Sequence, residues 1–281
     1  KNNTIWFGTR QKGLGQYTSQ SKFFSHLSSA NNGIKDDVVW DIEEGNNNNI
    51  WIAGNSPVLT ILTPSKEVVK RFNSSLTGVK SLVLDKDDTL YIGATSGLYQ
   101  YKNKSKIDKT AYISKKLIDF EITYLATDNK YIYVSSWGRG LYRLEKELGA
   151  DAEVQSMTYG SIPLTYITTL KVIGDFLYVG THSGMYLFDL KSGLSKKIPH
   201  LKGERISYIY HDESGIYVST GSNGVYLFDN QLEYITYHYN DKDIINRTIY
   251  STLRDDKGNL WMSSDNGILK ISTDKKIEIY D

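Results

Sequence analysis

One short sequence phrase recurs seven times along this chain, and it limits the fold more than any other feature. The phrase is an aromatic residue between β-branched or aliphatic neighbours, followed by small residues and then, in most copies, by Gly and an aliphatic residue. Its aromatic anchors are Trp6, Trp51, Tyr91, Tyr133, Tyr178, Tyr217 and Trp261. Successive anchors lie 39 to 45 residues apart, which is enough chain for four short strands and their turns. The spacing therefore predicts one propeller blade per repeat.

Each repeat predicts four antiparallel strands, which we name a to d from the propeller axis outward. Strand a precedes the phrase, as in residues 38–42 and 206–210, and strand b carries the anchor. A polar turn such as residues 255–258 joins strands a and b. We expect the Gly between strands b and c to adopt a backbone conformation closed to other residues. Strand d is more polar, as in residues 234–238.

The seven repeats predict an all-β fold, a seven-bladed β-propeller of four-stranded antiparallel blades. The first repeat begins at strand b. We therefore expect the first blade to lack its innermost strand and the chain to be a fragment of a larger one. A single propeller is predicted over residues 1–281, with blades at approximately 1–34, 35–75, 76–114, 115–159, 160–201, 202–243 and 244–281.

Charge and composition argue against several classes of function. The 33 basic and 32 acidic residues give a net charge of +1, whereas nucleic acid binding needs a concentrated basic surface. The chain has no Cys, which excludes disulfides, thiolate metal sites and a Cys nucleophile. No apolar run approaches the roughly 18 residues that span a bilayer.

Residues 255–268, Asp-Asp-Lys-Gly-Asn-Leu-Trp-Met-Ser-Ser-Asp-Asn-Gly-Ile, point to a known family. They resemble the two-component regulator propeller repeat, in which Asp-x-x-Gly-Asn precedes Leu-Trp-Ile-Gly-Thr, then Gly-Leu and Tyr. Residues 4–9 and 93–101 are similar to it as well, and the resemblance extends over nearly the whole chain. Two departures are Pro57-Val58, where Gly is expected in blade two, and Tyr in place of Trp in blades four to six.

The resemblance implies an extracytoplasmic, ligand-sensing propeller of a hybrid histidine kinase or related regulator, located in the periplasm. In that family, two propellers often precede an immunoglobulin-like domain, a membrane helix and the kinase, and the ligands are typically polysaccharide fragments. The implied partners are an oligosaccharide or other small ligand, a second propeller or immunoglobulin-like domain of the same chain, and a second receptor copy in a homodimer. No kinase segment is present, so we expect this fragment to be no enzyme, with any kinase elsewhere in the parent chain.

Two other classes of function stay open. One is a propeller enzyme such as a polysaccharide lyase or glycosidase, for which His182 with Glu121 are the candidate pair. The other is a protein-protein interaction scaffold, although the chain lacks the Gly-His and Trp-Asp pairs of WD-repeat proteins.

We expect no cofactor and no metal. The 5 His residues lack ligand spacing. The segment 85–88 begins like a calcium loop, but it has no central Gly and has Ser96 where the closing Glu should be. A solvated hairpin turn is the prediction there.

Propellers usually bind ligands on the face formed by the b–c and d–a loops. Strand mapping places two sets of polar and aromatic residues on this face. Those in b–c loops are Arg10, Lys12, Trp137, Arg139, His182, Asn223, Asp265 and Asn266. Those at the start of strand a are Asp37, Lys80, Glu121, Tyr166, Arg205 and Arg247. The predicted ligand-binding residues among them are Arg10, Lys12, Trp137, Arg139, His182, Arg205, Asn223 and Arg247.

The segment 136–140 is the most suggestive part of this face, because Trp137 could stack on a sugar while Arg139 pairs with a carboxylate or sulfate. The alternative is that Trp137 packs on the adjacent blade and Arg139 is solvated.

Overall fold

The described part of the chain forms seven antiparallel sheets and contains no α-helix. The computed structural model describes residues 4–9, 12–18, 23–31, 34, 36–45, 48–65, 67–72, 76–102, 115–148, 151–160, 162–230, 234–238, 248–265 and 267–280. The prediction of an all-β, seven-bladed β-propeller is confirmed. Two compact units divide the chain, unit 1 from Lys1 to Met157 and unit 2 from Thr158 to Asp281.

Unit 1 contains blades 1 to 4 apart from the last two residues of blade 4, Thr158 and Tyr159. The strands of each blade are given from the innermost outward. Blade 1 is β1 (Thr4–Gly8), β2 (Leu14–Thr18) and β3 (Phe23–Leu27). Blade 2 is β4 (Val39–Glu44), β5 (Ile50–Gly54), β6 (Val58–Leu62) and β7 (Val68–Phe72). Blade 3 is β8 (Val79–Leu84), β9 (Thr89–Ala94), β10 (Gly97–Lys102) and β11 (Lys115–Ile118). Blade 4 is β12 (Tyr124–Thr127), β13 (Tyr131–Ser136), β14 (Gly140–Glu145) and β15 (Gln155–Tyr159).

Two features of unit 1 bear on the predicted blades. Among the described residues, blade 1 has three strands and no strand a, as predicted. Strand β11 pairs with β10, so blade 3 extends beyond the boundary predicted at residue 114.

Unit 2 contains blades 5 to 7, each of four strands. Blade 5 is β17 (Ile167–Ile173), β18 (Phe176–Thr181), β19 (Gly184–Asp189) and β20 (Ser195–Lys197). Blade 6 is β21 (Ile206–Asp212), β22 (Gly215–Thr220), β23 (Val225–Phe228) and β24 (Tyr234–His238). Blade 7 is β25 (Ile249–Arg254), β26 (Leu260–Ser264), β27 (Gly267–Ile271) and β28 (Ile277–Tyr280). A short strand β16 (Ile162–Pro163) pairs with the last residues of β15, and a 3-10 helix (Pro199–Leu201) follows β20.

The apolar core of each unit lies between consecutive blades. In unit 1 the clusters join blades 1 and 2, 2 and 3, and 3 and 4. In unit 2 they join blades 5 and 6, and 6 and 7. The anchor Trp51 is 2% exposed and contacts Tyr101 of the next blade with ring centroids 5.5 Å apart. Burial of such a side chain stabilises the fold by on the order of 2 kcal/mol, which explains why both faces of strand b are apolar.

The Gly after strand b has the conformation that the sequence predicted. Gly97, where β10 begins, has φ +138°, and a Cβ placed on it would lie 2.1 Å from the carbonyl oxygen of Ile118. Only Gly avoids both the strain and the clash.

A register shift near the start of strand a positions the candidate site. The strand pairing skips Trp40, Lys80, Thr168, Ser207 and Tyr250, which are therefore β-bulge residues. Each lies at the end of its blade where the b–c loop turns. Trp40 is 40% exposed and Tyr250 is 42% exposed, so bulges deliver large side chains to the surface there.

Candidate ligand-binding surface

The predicted binding residues are divided between the two units. Lys12, Trp137 and Arg139 belong to unit 1, and His182, Arg205 and Asn223 belong to unit 2. Arg10, Arg247 and Asn266 lie outside the described residues.

In unit 2, the residues Tyr166 and His182 lie side by side at one end of blade 5. Tyr166 precedes β17 and His182 follows β18, so the antiparallel pairing of these strands brings the two together. The backbone N–H of His182 donates a hydrogen bond to the Tyr166 carbonyl at 3.1 Å, and the centroids of the two rings are 6.1 Å apart. Tyr166 is 53% exposed, so this pair offers an aromatic surface to solvent.

Arg205 lies immediately before β21, beside the b–c loop of its own blade. The Gly221 N–H donates to the Arg205 carbonyl at 2.8 Å. A Cβ added to Gly221 would lie 3.4 Å from Cβ and from Cδ of Arg205, so the arginine stem runs over this Gly. Its guanidinium forms no hydrogen bond or ion pair with any residue that the structure describes.

The positive charge of Arg205 acts on the pKa of His182. Burial, and after it the positive charge of Arg205, lower the pKa of His182 below its ordinary value. The imidazole is therefore neutral at pH 7, able both to donate and to accept a hydrogen bond, while Arg205 supplies the positive charge.

Asn223 extends this arrangement along the b–c loop of blade 6. Its Nδ2 donates to Oε1 of Glu204 at 2.8 Å, and its backbone N–H donates to Oγ1 of Thr220 at 3.0 Å. These bonds fix the loop next to Arg205. The structure thus brings together three predicted residues, His182, Arg205 and Asn223. We call the group Tyr166, His182, Glu204, Arg205 and Asn223 the unit 2 cluster.

In unit 1, the side chains of Trp137 and Arg139 are both exposed at one end of blade 4. Trp137 is 49% exposed, and Gly138 beside it has φ +73° with open space around it. The Arg139 guanidinium lies over the Phe120 ring, 5.3 Å from its centroid, and the Tyr142 hydroxyl donates to the Arg139 carbonyl at 3.0 Å. Arg139 is therefore engaged in a cation–π contact.

Lys12 lies in the b–c loop of blade 1 and is exposed. Its backbone N–H donates to Oγ1 of Thr9 at 2.9 Å, which closes the loop. Blades 2 and 3 lie between Lys12 and Trp137 in chain order, so the two residues belong to separate parts of unit 1.

Sequence reasoning missed the aromatic residues that the bulges expose. The Trp40 indole donates from Nε1 to Oδ1 of Asn55 at 2.6 Å, and Lys80 Nζ lies 4.3 Å from the centre of the Trp40 ring. In blade 4, Tyr124 is also exposed at the start of β12. The alternation of apolar and polar residues does not mark these exposed aromatics, because an aromatic residue near the start of a strand is ordinarily read as part of the core.

The described residues contain no group of three or more His, Asp or Glu side chains arranged to hold a metal ion. The segment 85–88 is the predicted hairpin turn, in which Oδ1 of Asp85 accepts hydrogen bonds from the N–H groups of Asp87 and Thr89. His182 and Glu121, the candidate enzyme pair, lie in different units. Within the described residues, no helix is both long enough and apolar enough to cross a membrane.

Comparison with solved structures agrees with the fold. The computationally designed protein Ika8 is similar with a TM-score of 0.67 at 9% identity, over 97% of this chain and 81% of that one. PorZ, an essential surface component of the type-IX secretion system of Porphyromonas gingivalis, is similar with a TM-score of 0.66 at 12% identity, over 100% of this chain. This chain spans 46% of PorZ. Identities this low support the propeller fold alone.

A third similarity is weaker. The extracellular domain of BT4673 from B. thetaiotaomicron has a TM-score of 0.44 at 17% identity, over 99% of this chain and 53% of that one, which carries no functional argument. No family description matches the sequence, and no curated protein is similar to it.

Proposed function

We propose that this protein is the ligand-sensing propeller of a periplasmic two-component regulator, of the hybrid histidine kinase type, and that its ligand is an oligosaccharide. The resemblance of the seven repeats to regulator propellers motivates the class. The observation that supports an oligosaccharide as the ligand is the unit 2 cluster, where the exposed Tyr166 ring lies beside the neutral imidazole of His182.

The chemistry of this cluster suits a sugar. An exposed aromatic ring stacks on the apolar face of a pyranose, while imidazole and amide groups bind its hydroxyls. Tyr166 has only two side-chain torsions, and its backbone is fixed by the hydrogen bond from His182, so little conformational entropy is lost on binding.

The proposed role is binding without turnover. Ligand binding would favour one arrangement of this propeller against a second propeller or immunoglobulin-like domain of the parent chain. In a receptor homodimer, that shift in population would bias the kinase across the membrane.

Calorimetric titration of the purified protein with neutral and acidic oligosaccharides tests the proposal. We expect saturable binding that Tyr166→Ala weakens roughly tenfold. Leu194→Ala is the matched control, because Leu194 is an exposed apolar residue of blade 5 in the c–d turn, away from the b–c loops.

Two results would contradict the proposal. One is the absence of binding across the whole panel. The other is steady release of product from any of these saccharides, which would assign the protein to the propeller enzymes.

A further inference from the structure

Arg205 is the cation that distinguishes the unit 2 cluster from a general sugar-binding surface. Its stem is held over Gly221 and its carbonyl is fixed by the Gly221 N–H, so the guanidinium is presented from a restrained position. Restraint of this kind lowers the entropy lost when a ligand is bound.

The acidic residue next to Arg205 does not neutralise it. Glu204 accepts a hydrogen bond from Asn223 Nδ2 at 2.8 Å, and among the described residues it forms no ion pair with Arg205. Asp265 is exposed one blade away, where its backbone N–H donates to the carbonyl of Thr248. Thr248 in turn donates from Oγ1 to the carbonyl of Gly221. The positive charge of Arg205 therefore stays available to a ligand.

A guanidinium presents paired N–H donors whose geometry matches an oxyanion. Tyr166 lies beside His182, and the loop that carries His182 contacts the start of blade 6, where the Gly203 N–H donates to the Ser183 carbonyl at 3.1 Å, so one ligand can cover both features. We infer that the unit 2 cluster selects anionic saccharides, with the sugar ring on Tyr166 and the carboxylate or sulfate group on Arg205. Neutral His182 then serves as a hydrogen-bonding group between them.

This inference rests on the proposed function and can fail without it. Calorimetry of the purified protein should compare trigalacturonic acid with neutral galactotriose, a pair that differs mainly by the carboxylates. A sulfated galactose trisaccharide distinguishes sulfate from carboxylate as the source of the oxyanion. We expect either trigalacturonic acid or the sulfated trisaccharide to bind at least tenfold more tightly than neutral galactotriose. This difference in affinity should decrease as the salt concentration rises.

Variants of Arg205 locate the effect. Arg205→Gln should weaken binding of the anionic trisaccharide by roughly tenfold to hundredfold and leave the neutral one unchanged. Arg205→Lys should restore part of the affinity, because it keeps the charge without the paired donors. Lys202→Gln, an exposed change of equal charge in the same unit, should leave both affinities unchanged. Circular dichroism would confirm that each variant is folded.

The outcomes separate the two proposals. If neutral and anionic saccharides bind equally and both need Tyr166, the anionic preference is wrong and the proposed function stands. If Arg205→Gln weakens both ligands alike, Arg205 is no charge-specific determinant and the inference fails. If no saccharide binds, both proposals fail.

Discussion

The carboxylate of Asp41 in blade 2 accepts a hydrogen bond from the backbone N–H of Leu82 in blade 3, with 2.8 Å between the two atoms. The same oxygen also accepts from the Ser81 hydroxyl at 3.2 Å. Ser81 Oγ in turn accepts from the Leu125 N–H of blade 4 at 3.2 Å. Three consecutive strands a of unit 1 are thereby joined by side-chain oxygens, in addition to their apolar contacts.

In unit 2, side chains of the inner strands donate hydrogen bonds to the next blade instead of accepting them. The hydroxyl of Thr168 donates to the carbonyl of Ile206 in the next blade, and the hydroxyl of Ser207 donates to the carbonyl of Ile249. Short oxygen-bearing side chains at the inner strands therefore satisfy backbone groups of the neighbouring blade. Their role is structural.

Replacing Asp41 by Ala should destabilise unit 1. The change leaves the Leu82 N–H without its acceptor in a partly buried position, at a cost of about 1 to 3 kcal/mol. Urea denaturation followed by tryptophan fluorescence measures the free energy of unfolding. Asp119→Ala, an exposed change of equal charge in the same unit, is the control. Equal stability of the two variants would contradict the inter-blade role.

Replacing Gly97 by Ala should be among the more damaging small substitutions. The new Cβ would meet the Ile118 carbonyl at 2.1 Å, in addition to the backbone strain at φ +138°. We expect a loss of more than about 1 kcal/mol. Gly138→Ala is the matched control, since Gly138 also has positive φ but has nothing within 4 Å of the added Cβ. Thermal melts should show Gly97→Ala unfolding at the lower temperature of the two.

Asp255 should give the stability of unit 2 a dependence on acid. Burial raises the pKa of this carboxyl, but hydrogen bonds from the side chains of Asn259 and Trp261 outweigh it and lower the pKa below its ordinary value of 3.8. A carboxyl whose pKa is lower in the folded state stabilises the fold above the unfolded-state pKa. That stabilisation is lost as the pH falls through the folded-state pKa.

The test is Asp255→Asn, followed by unfolding between pH 7 and pH 2. At pH 7 we expect the variant to be about 1 kcal/mol less stable, a figure that allows for solvent screening of this partly exposed group. The difference should shrink below pH 3.8. Asp256→Asn changes the exposed neighbour and should leave the stability unchanged across this range. If the stability difference between Asp255→Asn and the unchanged protein were the same at every pH, the proposed role of the Asp255 carboxylate would be wrong.

Arg254 of blade 7 joins blade 6 at a partly buried ion pair. Its Nε lies 2.8 Å from Oδ2 of Asp212, its Nη2 donates to the hydroxyl of Tyr217, and its Nη1 donates to the Gly258 carbonyl. A double-mutant cycle of Arg254→Ala and Asp212→Ala should give a coupling of about 1 kcal/mol or more. The exposed pair of Lys191 and Asp175 in the same unit is the control, with an expected coupling of about 0 to 1 kcal/mol. Equal coupling in the two cycles would count against the role of burial.

The fold was predictable because the repeat carries redundant information. An anchor such as Tyr133 needs apolar surroundings on both sides of its strand, so the phrase around it marks strand b wherever it occurs. The boundary near residue 114 was less predictable, because strand d makes fewer inter-blade contacts and its polar sequence carries little signal. The Asp that recurs in the a–b turns also has a physical reason. Oδ2 of Asp128 accepts a hydrogen bond from the Tyr133 hydroxyl at 2.7 Å, and Oδ2 of Asp255 accepts one from the Trp261 indole N–H.

The candidate site was only partly predictable. Strand mapping could assign His182 and Arg205 to one face, since b–c loops and strand starts lie at the same end of a blade. It could not foresee that Arg139 would lie over Phe120 while the Arg205 guanidinium forms no hydrogen bond or ion pair among the described residues, because such contacts depend on side-chain directions. Trp40 was missed because an aromatic residue in a strand is ordinarily buried, and the bulge that turns it outward leaves no mark in the alternation.

The bulges near the start of strand a have an evolutionary consequence. A residue that strand pairing skips can be replaced without disturbing the ladder on either side of it. In the described chain, Trp40, Lys80 and Tyr250 occupy such positions and differ in size and charge, whereas Thr168 and Ser207 are kept by their bonds to the neighbouring blade. Mutation can therefore change the surface chemistry at the exposed bulge positions while selection keeps the scaffold constant, so related propellers can diverge in what they bind without diverging in architecture.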